Sequence, residues 1–338
     1  MTRIFGLSKN LENNINEALR KFNLTLGDSK VLAKNVMMLS DFFIKNPEDQ
    51  TPWHEAFAQI AYLCYYLPLN SARLLALIEE AEKRNFFEGM NHVIDFGAGL
   101  ATASLNLAEK KNLEYTLIER AAEPRKIIEA HFKNFQGHEW LATFNSKQLK
   151  NPRSTIALFS YSLTELTELP AWAYDCEALF IVEPSTQQDG RKLLQLREHL
   201  LQKGFHVWAP CTHEAPCPLL SRSKNDWCHD RIHFSAPTWF EKMEEHLPMK
   251  NRTLTMSYLL MRKSKPEANH AARVVGDRLQ EKGKDRQMIC RGPDREFLAW
   301  MHKNKIEQEI PRGVLIETSN DLQKVSNELR VTKKIRVL

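Results

Sequence analysis

Residues 92–101 read His-Val-Ile-Asp-Phe-Gly-Ala-Gly-Leu-Ala. An apolar strand ends at Phe96, glycines follow at 97 and 99, and a helix is expected to open at Ala101. Glycines at those two places let the backbone turn sharply and approach a ligand without a Cβ in the way. A third glycine would ordinarily follow, and alanine stands there at position 101. Some twenty residues on, a second apolar strand closes on Leu117-Ile118-Glu119, placing a carboxylate where ribose hydroxyls can be accepted. In an open α/β sheet the ligand would sit outside the carboxyl ends of these strands.

Working outward, apolar runs and helical stretches alternate, the mark of a largely parallel, doubly wound sheet. The expected strands are HVIDF, EYTLIE, WLATF, TIALFS, ALFIVE, FHVWA and a late TLTMSYLLM that suits antiparallel addition. Helices are expected over Ala101–Lys111, Glu123–Phe135, Leu163–Tyr174 and Gly190–Gln202. Asp-x-Gly-x-Gly, with the acid (Asp95) before the first glycine, is the methyltransferase form of the glycine loop and favours S-adenosylmethionine. NAD is the competing cofactor, because dinucleotide-binding folds share the same logic; a tight turn with no ligand is the plain alternative. Before this region, residues 1–90 read as an amphipathic helical cap. Asp28 is placed to cap Ser29–Lys45, which Asn46-Pro47 ends, and the helix over His54–Leu67 is apolar nearly all round.

The chain has 338 residues, 43% hydrophobic and 26% charged, within the range of globular proteins. No run approaches the roughly 18 apolar residues of a membrane span. Residues 1–20 have no apolar core and contain Glu12 and Glu17, which argues against a signal or transit peptide. The expectation is a cytoplasmic, bacterial protein. The net charge of +5 is uneven: residues 262–338 hold 18 Lys and Arg against 11 Asp and Glu, leaving the body slightly acidic. A basic tail of this kind meets phosphate backbones or is simply solvated.

Six cysteines occur. Cys64, in IAYLCYYL, and Cys176, before a buried strand, fit the core, where free cysteine packs as a small hydrophobe. The others are spaced Cys211-x5-Cys217-x10-Cys228, with Cys290 far downstream. Four thiolates complete a tetrahedral zinc site or a cubane iron–sulfur cluster. Zinc knuckles of the C-x2-4-C kind are absent, which leans toward the cluster. His213, His229 and His233 leave a Cys3His zinc site open, and Pro210, Pro216 and Pro218 stiffen the loop.

Catalytic motifs do not appear where transferases carry them. Amino-methylating enzymes hold the target nitrogen with Asn/Asp-Pro-Pro-Tyr/Phe after the fourth strand, where this chain reads Ser160-Tyr161-Ser162-Leu163-Thr164-Glu165-Leu166. Cytosine-C5 methylation needs a nucleophilic cysteine there or one strand later, and the fifth strand runs into Glu183-Pro184-Ser185-Thr186. Glu165 and Glu183 are candidate bases, although a glutamate beside a helix start is more often a capping group. Catalytic residues are therefore unassigned.

Taken together, Asp95-Phe96-Gly97-Ala98-Gly99, Ser162 to Leu166, Val182-Glu183-Pro184-Ser185, the Ala209 to Pro218 block, Asp226-Trp227-Cys228-His229, Arg273-Val274-Val275-Gly276 and Cys290 resemble a methyltransferase-like family of small-ribosomal-subunit proteins. That family is known from mitochondrial ribosome assembly and is also found in bacteria. The resemblance runs from about Asn91 to Cys290. It implies a class I S-adenosylmethionine-dependent methyltransferase (Rossmann-like) α/β fold. The expected organisation is a helical cap (1–90), a methyltransferase-like domain (91–263) with a cysteine-rich insertion at 210–231, and a basic C-terminal extension (264–338). It further implies cofactor binding at Asp95, Gly97, Gly99 and Glu119, and a 4Fe–4S cluster on Cys211, Cys217, Cys228 and Cys290. The implied partners are small-subunit rRNA and its proteins, with no membrane and a monomer off the ribosome. The expected place is the cytoplasm, or the mitochondrial matrix if the chain is eukaryotic. The implied role is assembly without a requirement for transferase activity; an active rRNA methyltransferase is the alternative.

Overall fold

The computed structural model describes residues 3–46, 49–166, 168–267, 271–318 and 322–338; the Glu165 side chain, one candidate base, lies outside the described residues. The chain opens on a short strand β1 (Ile4–Gly6) and two amphipathic helices, α1 (Lys9–Arg20) and α2 (Ser29–Lys45). Leu11, Ile15, Ala18 and Leu19 form the buried stripe of α1, and the Ser8 hydroxyl caps it by accepting from Leu11 N at 3.1 Å. Asp28 stands at the start of α2 as expected, but its carboxylate accepts from the Thr25 backbone and hydroxyl instead of from the helix. The apolar run that follows is a helix α3 (Ala56–Ala61), one π-helical turn (Tyr62–Tyr66) and a helix α4 (Leu67–Lys83).

The sheet region continues with β2 (His92–Phe96), α5 (Thr102–Ala108), β3 (Glu114–Ile118), α6 (Ala122–His131), β4 (Glu139–Leu141), β5 (Thr155–Ser160), β6 (Ala178–Glu183), α7 (Gln187–Gln202) and β7 (His206–Ala209). A one-turn helix α8 (Pro218–Ser221), β8 (Asp230–Ser235), α9 (Thr238–Glu244) and β9 (Thr253–Arg262) complete it. The central order is β4-β3-β2-β5-β6-β9-β7; the first five strands are mutually parallel, and β9 is antiparallel to both β6 and β7. In strand sequence this is three-two-one-four-five-seven-six with the seventh reversed, the class I methyltransferase form of the Rossmann-like sheet. The near-continuous apolar character of β2, β5 and β6 follows from burial on both faces.

Three features depart from the expectation. The helix expected over Leu163–Tyr174 is two separate 3₁₀ turns, Leu163–Glu165 and Ala171–Tyr174, with Pro170 between them unable to donate a helical hydrogen bond. The first half of β9 pairs with β8, and β8 pairs in parallel with β1, so the N-terminal segment extends the sheet as well as supplying helices. Finally, the basic segment after Lys263, in which only short strand-like runs (ARVVG, RQMIC, GVLIE) are legible in sequence, is a full second sheet with its own apolar core. Its strands are β10 (Ala271–Glu281), β11 (Lys284–Cys290), β12 (Glu296–Met301), β13 (Leu315–Glu317), β14 (Gln323–Val325) and β15 (Glu328–Arg330). It is joined to the first sheet through the buried Arg273, which donates to Pro210 O and Gly313 O at 2.5 Å and pairs with Glu80 of α4. Arg273 and Arg84 outweigh the burial of Glu80 and hold its carboxyl down to about 2. Among the described residues, no helix is long and apolar enough to cross a membrane.

Candidate functional site

The parallel strands deliver their carboxyl ends to one side of the sheet, and the loops there enclose a cavity of about 600 Å³, a size that takes a small organic ligand. All four expected cofactor residues line it. Gly97 (φ +68°) and Gly99 (φ +51°) are left-handed, and a Cβ on Gly97 would lie 2.7 Å from Ser162 Cβ. Ala101 also adopts a positive φ, +50°, so the third position keeps the glycine conformation while paying about 1–2 kcal/mol for its methyl. Glu119 braces the loop: its Oε2 accepts from Gly99 N at 3.0 Å and its Oε1 from Ala121 N at 2.9 Å. Each carboxylate oxygen retains a second lone pair. Asp95 is buried and accepts from Ser104 Oγ at 2.6 Å. Burial, helped by the charge of Glu119, raises its carboxyl to about 7.

The position after β5 adds two groups that sequence reasoning left without a role. Tyr161 is left-handed (φ +58°). Its hydroxyl and that of Ser162 are buried beside the cavity with no hydrogen-bond partner among the described residues. Burial pushes the Tyr161 phenol upward. Glu183 accepts from Leu163 N at 2.9 Å, which ties down the loop after β5, a structural role.

The opposite wall comes from the cap. Trp53, Tyr62 and Tyr66 pack in series with tilted rings, their centroids 4.5 and 5.0 Å apart. Arg73 reaches in from α4, donating to Asn70 Oδ1 at 2.8 Å and Thr255 O at 3.1 Å. The apolar run over His54–Leu67 is largely buried in the core, as its sequence implies; Tyr62 and Tyr66 are its partly buried members, and their hydroxyls need a polar partner or a cavity.

The four outlying cysteines come from four separate places: the end of β7, the start of α8, the residue run before β8 and the end of β11. The fold brings them into one neighbourhood. Burial first, and then the other cysteines, push the Cys290 thiol well above its usual value; Cys217 is raised to about 11 for the same reasons. His213 Nε2 lies 3.2 Å from Cys290 Sγ, whereas His233 is exposed on β8. Among the described residues, no group of three or more His, Cys, Asp or Glu side chains is arranged to hold a single metal ion.

Helix α7 carries this loop. Its fully buried Arg197 donates to His213 O (2.6 Å) and Ala215 O (3.2 Å), placing a guanidinium beside Cys211 and Cys217. Arg191 gathers the carbonyls of Leu219, Ser223 and Asp226. Trp227, next to Cys228, donates to Ser185 O at 2.7 Å, and Ser185 lines the cavity. Cys64 and Cys176 are buried in the two cores of the main sheet.

Comparison with known proteins gives one family match: residues 56–329 match the family described as mitochondrial small ribosomal subunit Rsm22. No curated protein matches the chain significantly. Among solved structures, a putative RNA methyltransferase from Pyrococcus horikoshii is 13% identical, covering 57% of this chain and 83% of that one at a TM-score of 0.35. A precorrin-6y C5,15-methyltransferase from Geobacter metallireducens is also 13% identical, covering 54% and 87% at 0.36. An S-adenosylmethionine-dependent methyltransferase from Geobacter sulfurreducens, in complex with S-adenosyl-L-homocysteine, is 15% identical, covering 40% and 64% at 0.29.

Proposed function

The chain belongs to the mitochondrial small ribosomal subunit Rsm22 family, and from that premise we propose that it binds S-adenosylmethionine and acts on the small ribosomal subunit as an assembly factor. The observation that carries the proposal is the cavity at the strand carboxyl ends, bounded by Asp95, Gly97, Gly99 and Glu119. The two left-handed glycines give the cofactor a close backbone approach. Glu119, already held by two backbone N–H groups, offers its remaining lone pairs to ribose hydroxyls. Asp95 faces the cationic end of the cofactor, which carries a sulfonium and an ammonium.

Transfer chemistry is not required by this arrangement. Tyr161 and Ser162 occupy the place of the amino-methylating motif, and neither supplies the paired acceptors that such a motif uses. The alternative is an active rRNA methyltransferase in which Tyr161 and Ser162 orient the acceptor; the observation that favours it is their buried hydroxyls, which have no partner among the described residues.

Cys211, Cys217, Cys228 and Cys290 would hold a 4Fe–4S cluster, a reading supported by a cysteine spacing without zinc knuckles and by the raising of the Cys217 and Cys290 thiols through burial and neighbouring cysteines. Bound there, a cluster supplies a covalent tie between the two sheets, because Cys290 belongs to β11 and the others to the first sheet. Arg197 offsets part of the negative charge such a site would carry. Further parts of the reading are contacts to small-subunit rRNA and proteins, a monomer off the ribosome, and residence in the bacterial cytoplasm or, in a eukaryote, the mitochondrial matrix. Equilibrium binding of labelled S-adenosylmethionine, followed by a transfer assay on purified small subunits, tests it. Binding without transfer supports the assembly reading, transfer supports the alternative, and no binding removes both.

A further inference from the structure

The two edge strands of the second sheet, β13 and β14, follow one another in the chain. Strands β10, β11 and β12 form an antiparallel meander, β15 lies parallel to β12, and β14 is antiparallel to β15. The other edge of β10 is covered by β13. Only residues 318–322 separate β13 from β14, so the two outer edges belong to one passage of chain. Counting that passage as one strand gives the order one-two-three-five-four-one, with the third and fifth parallel. This is the order of the five-stranded barrel that binds oligonucleotides and oligosaccharides on its second and third strands and the loops beside them. The first strand is bulged between Val274 and Arg278, where a Cβ on Gly276 would meet Met288 Cβ at 2.8 Å; such a bulge curls a strand round a small barrel.

Strand alternation fixes which side chains face out. Leu298, Trp300, Ile289 and Leu329 are in the apolar core, so Phe297, Ala299, Arg286 and Arg330 lie on the other side of the strands, with Arg286, Ala299 and Arg330 in register across β11, β12 and β15. Phe297 and Ala299 are buried, the two arginines half-buried, and Met288, further along β11 on the same side, packs against Leu194, Cys217 and Leu219, which leaves the end of this side near the β10–β11 turn open. The Arg286 guanidinium lies over the Phe297 ring, 4.8 Å from its centroid. Leu279, opposite Arg286 on β10, is 51% exposed. The turn between β10 and β11 presents Lys282 and Lys284, and the Arg330 Nε has no partner among the described residues. Four cations therefore border the face. Two acids, Glu281 and Glu328, pair with Lys284 and Arg286 in the free protein and spread them over the strands.

We propose that the turn end of this face, where Arg286, Arg330, Leu279 and the turn lysines lie, is a binding site for single-stranded RNA. A guanidinium already lying on an aromatic ring offers its other plane to an unstacked base, and an exposed leucine beside it widens the platform. The lysines at the turn and Arg330 supply the positive charge that phosphates would meet. A duplex hides its base faces and cannot use such a platform. The inference rests on the small-subunit reading and names the form of RNA and the surface that receives it.

The test uses the full-length protein, purified without oxygen, and fluorescence anisotropy with a labelled pyrimidine RNA of about 12 nucleotides, within the span of one such barrel, and the same sequence as a duplex. The single strand should bind at least tenfold more tightly. Arg286→Gln and Arg330→Glu should each weaken it about tenfold or more and flatten the salt dependence by roughly one phosphate contact. Leu279→Ala, an exposed change that cannot unfold the barrel, should weaken it severalfold at unchanged salt slope. Equal affinity for duplex and single strand, or full affinity in all three variants, overturns the inference. Failure of the wild-type protein to cosediment with small subunits is a separate result and overturns the assembly reading itself.

Discussion

The two glycines of the cofactor loop should fail in different ways when each is given a single methyl. At Gly97 the backbone is left-handed, which costs a residue with a Cβ about 1–2 kcal/mol, and the new Cβ would sit 2.7 Å from Ser162 Cβ. Ser162 is buried behind the loop and its Cβ cannot swing away, so forcing the contact costs a further ~1–3 kcal/mol. Gly97→Ala should therefore destabilise the fold by about 2–5 kcal/mol, lowering Tm by several degrees. At Gly99 the backbone cost is the same, but the nearest atom to a Cβ is Trp53 Cζ2 at 3.4 Å, an ordinary contact on the cavity side. Ala101 shows that this chain tolerates a methyl at such a φ when nothing is in the way. Gly99→Ala should cost little more than about 1–2 kcal/mol in stability while losing S-adenosylmethionine affinity out of proportion, because its methyl occupies the approach path. Thermal unfolding and calorimetric titration on both variants separate the two effects. Equal Tm losses would refute the Ser162 contact, and an undiminished affinity in Gly99→Ala would show that the cofactor sits elsewhere.

Three other perturbations follow from particular groups. Asp95, raised to about 7 by burial, is protonated in the free protein through much of the range between its unfolded value and neutrality; fold stability should fall as pH rises from about 4 to 7. A cationic cofactor favours its ionised form, so affinity should climb between pH 6 and 8 with proton release on binding, and Asp95→Asn should abolish that slope in titrations across buffers of different ionisation enthalpy. Arg273→Met leaves the buried Glu80 without its main partner and should cost about 3–5 kcal/mol in urea unfolding; a loss below 1 kcal/mol would mean that this junction does not hold the two sheets together. Protein purified without oxygen should contain iron and acid-labile sulfide, and Cys290→Ser should lose both; stoichiometric zinc without sulfide would sink the cluster assignment.

The sheet was legible because burial on both faces leaves continuous apolar runs, and because Asp95 to Gly99 carries its turn chemistry in the residues themselves. The reversed last strand was readable from the ten-residue length of β9. What escaped depended on distant partners. Strand β8 alternates buried and exposed residues, a usable signal, but it lies behind the cysteine loop and its neighbour β1 is more than two hundred residues away. In the second sheet only the runs 272–276, 286–290 and 313–317 show as strand-like in sequence, because arginine and lysine alternate with short apolar positions and dilute the apolar periodicity elsewhere. The cap side of the cavity was hidden differently: Trp53, Tyr62 and Tyr66 look like core residues in sequence, and only the packing of the cap against the strand ends turns their faces to an open space. Glu119 was found, but its double engagement with Gly99 N and Ala121 N depends on a loop geometry that sequence does not specify.

The account stands on cofactor binding and small-subunit association in one molecule. Sedimentation of the full-length protein with isolated immature small subunits, mature small subunits and large subunits, with and without S-adenosylmethionine, measures both together. The protein should travel with the immature small subunit, the cofactor should strengthen this, and Gly99→Ala should blunt the strengthening without abolishing the association. Sedimentation as free protein in every condition, or equal association with large subunits, would contradict it.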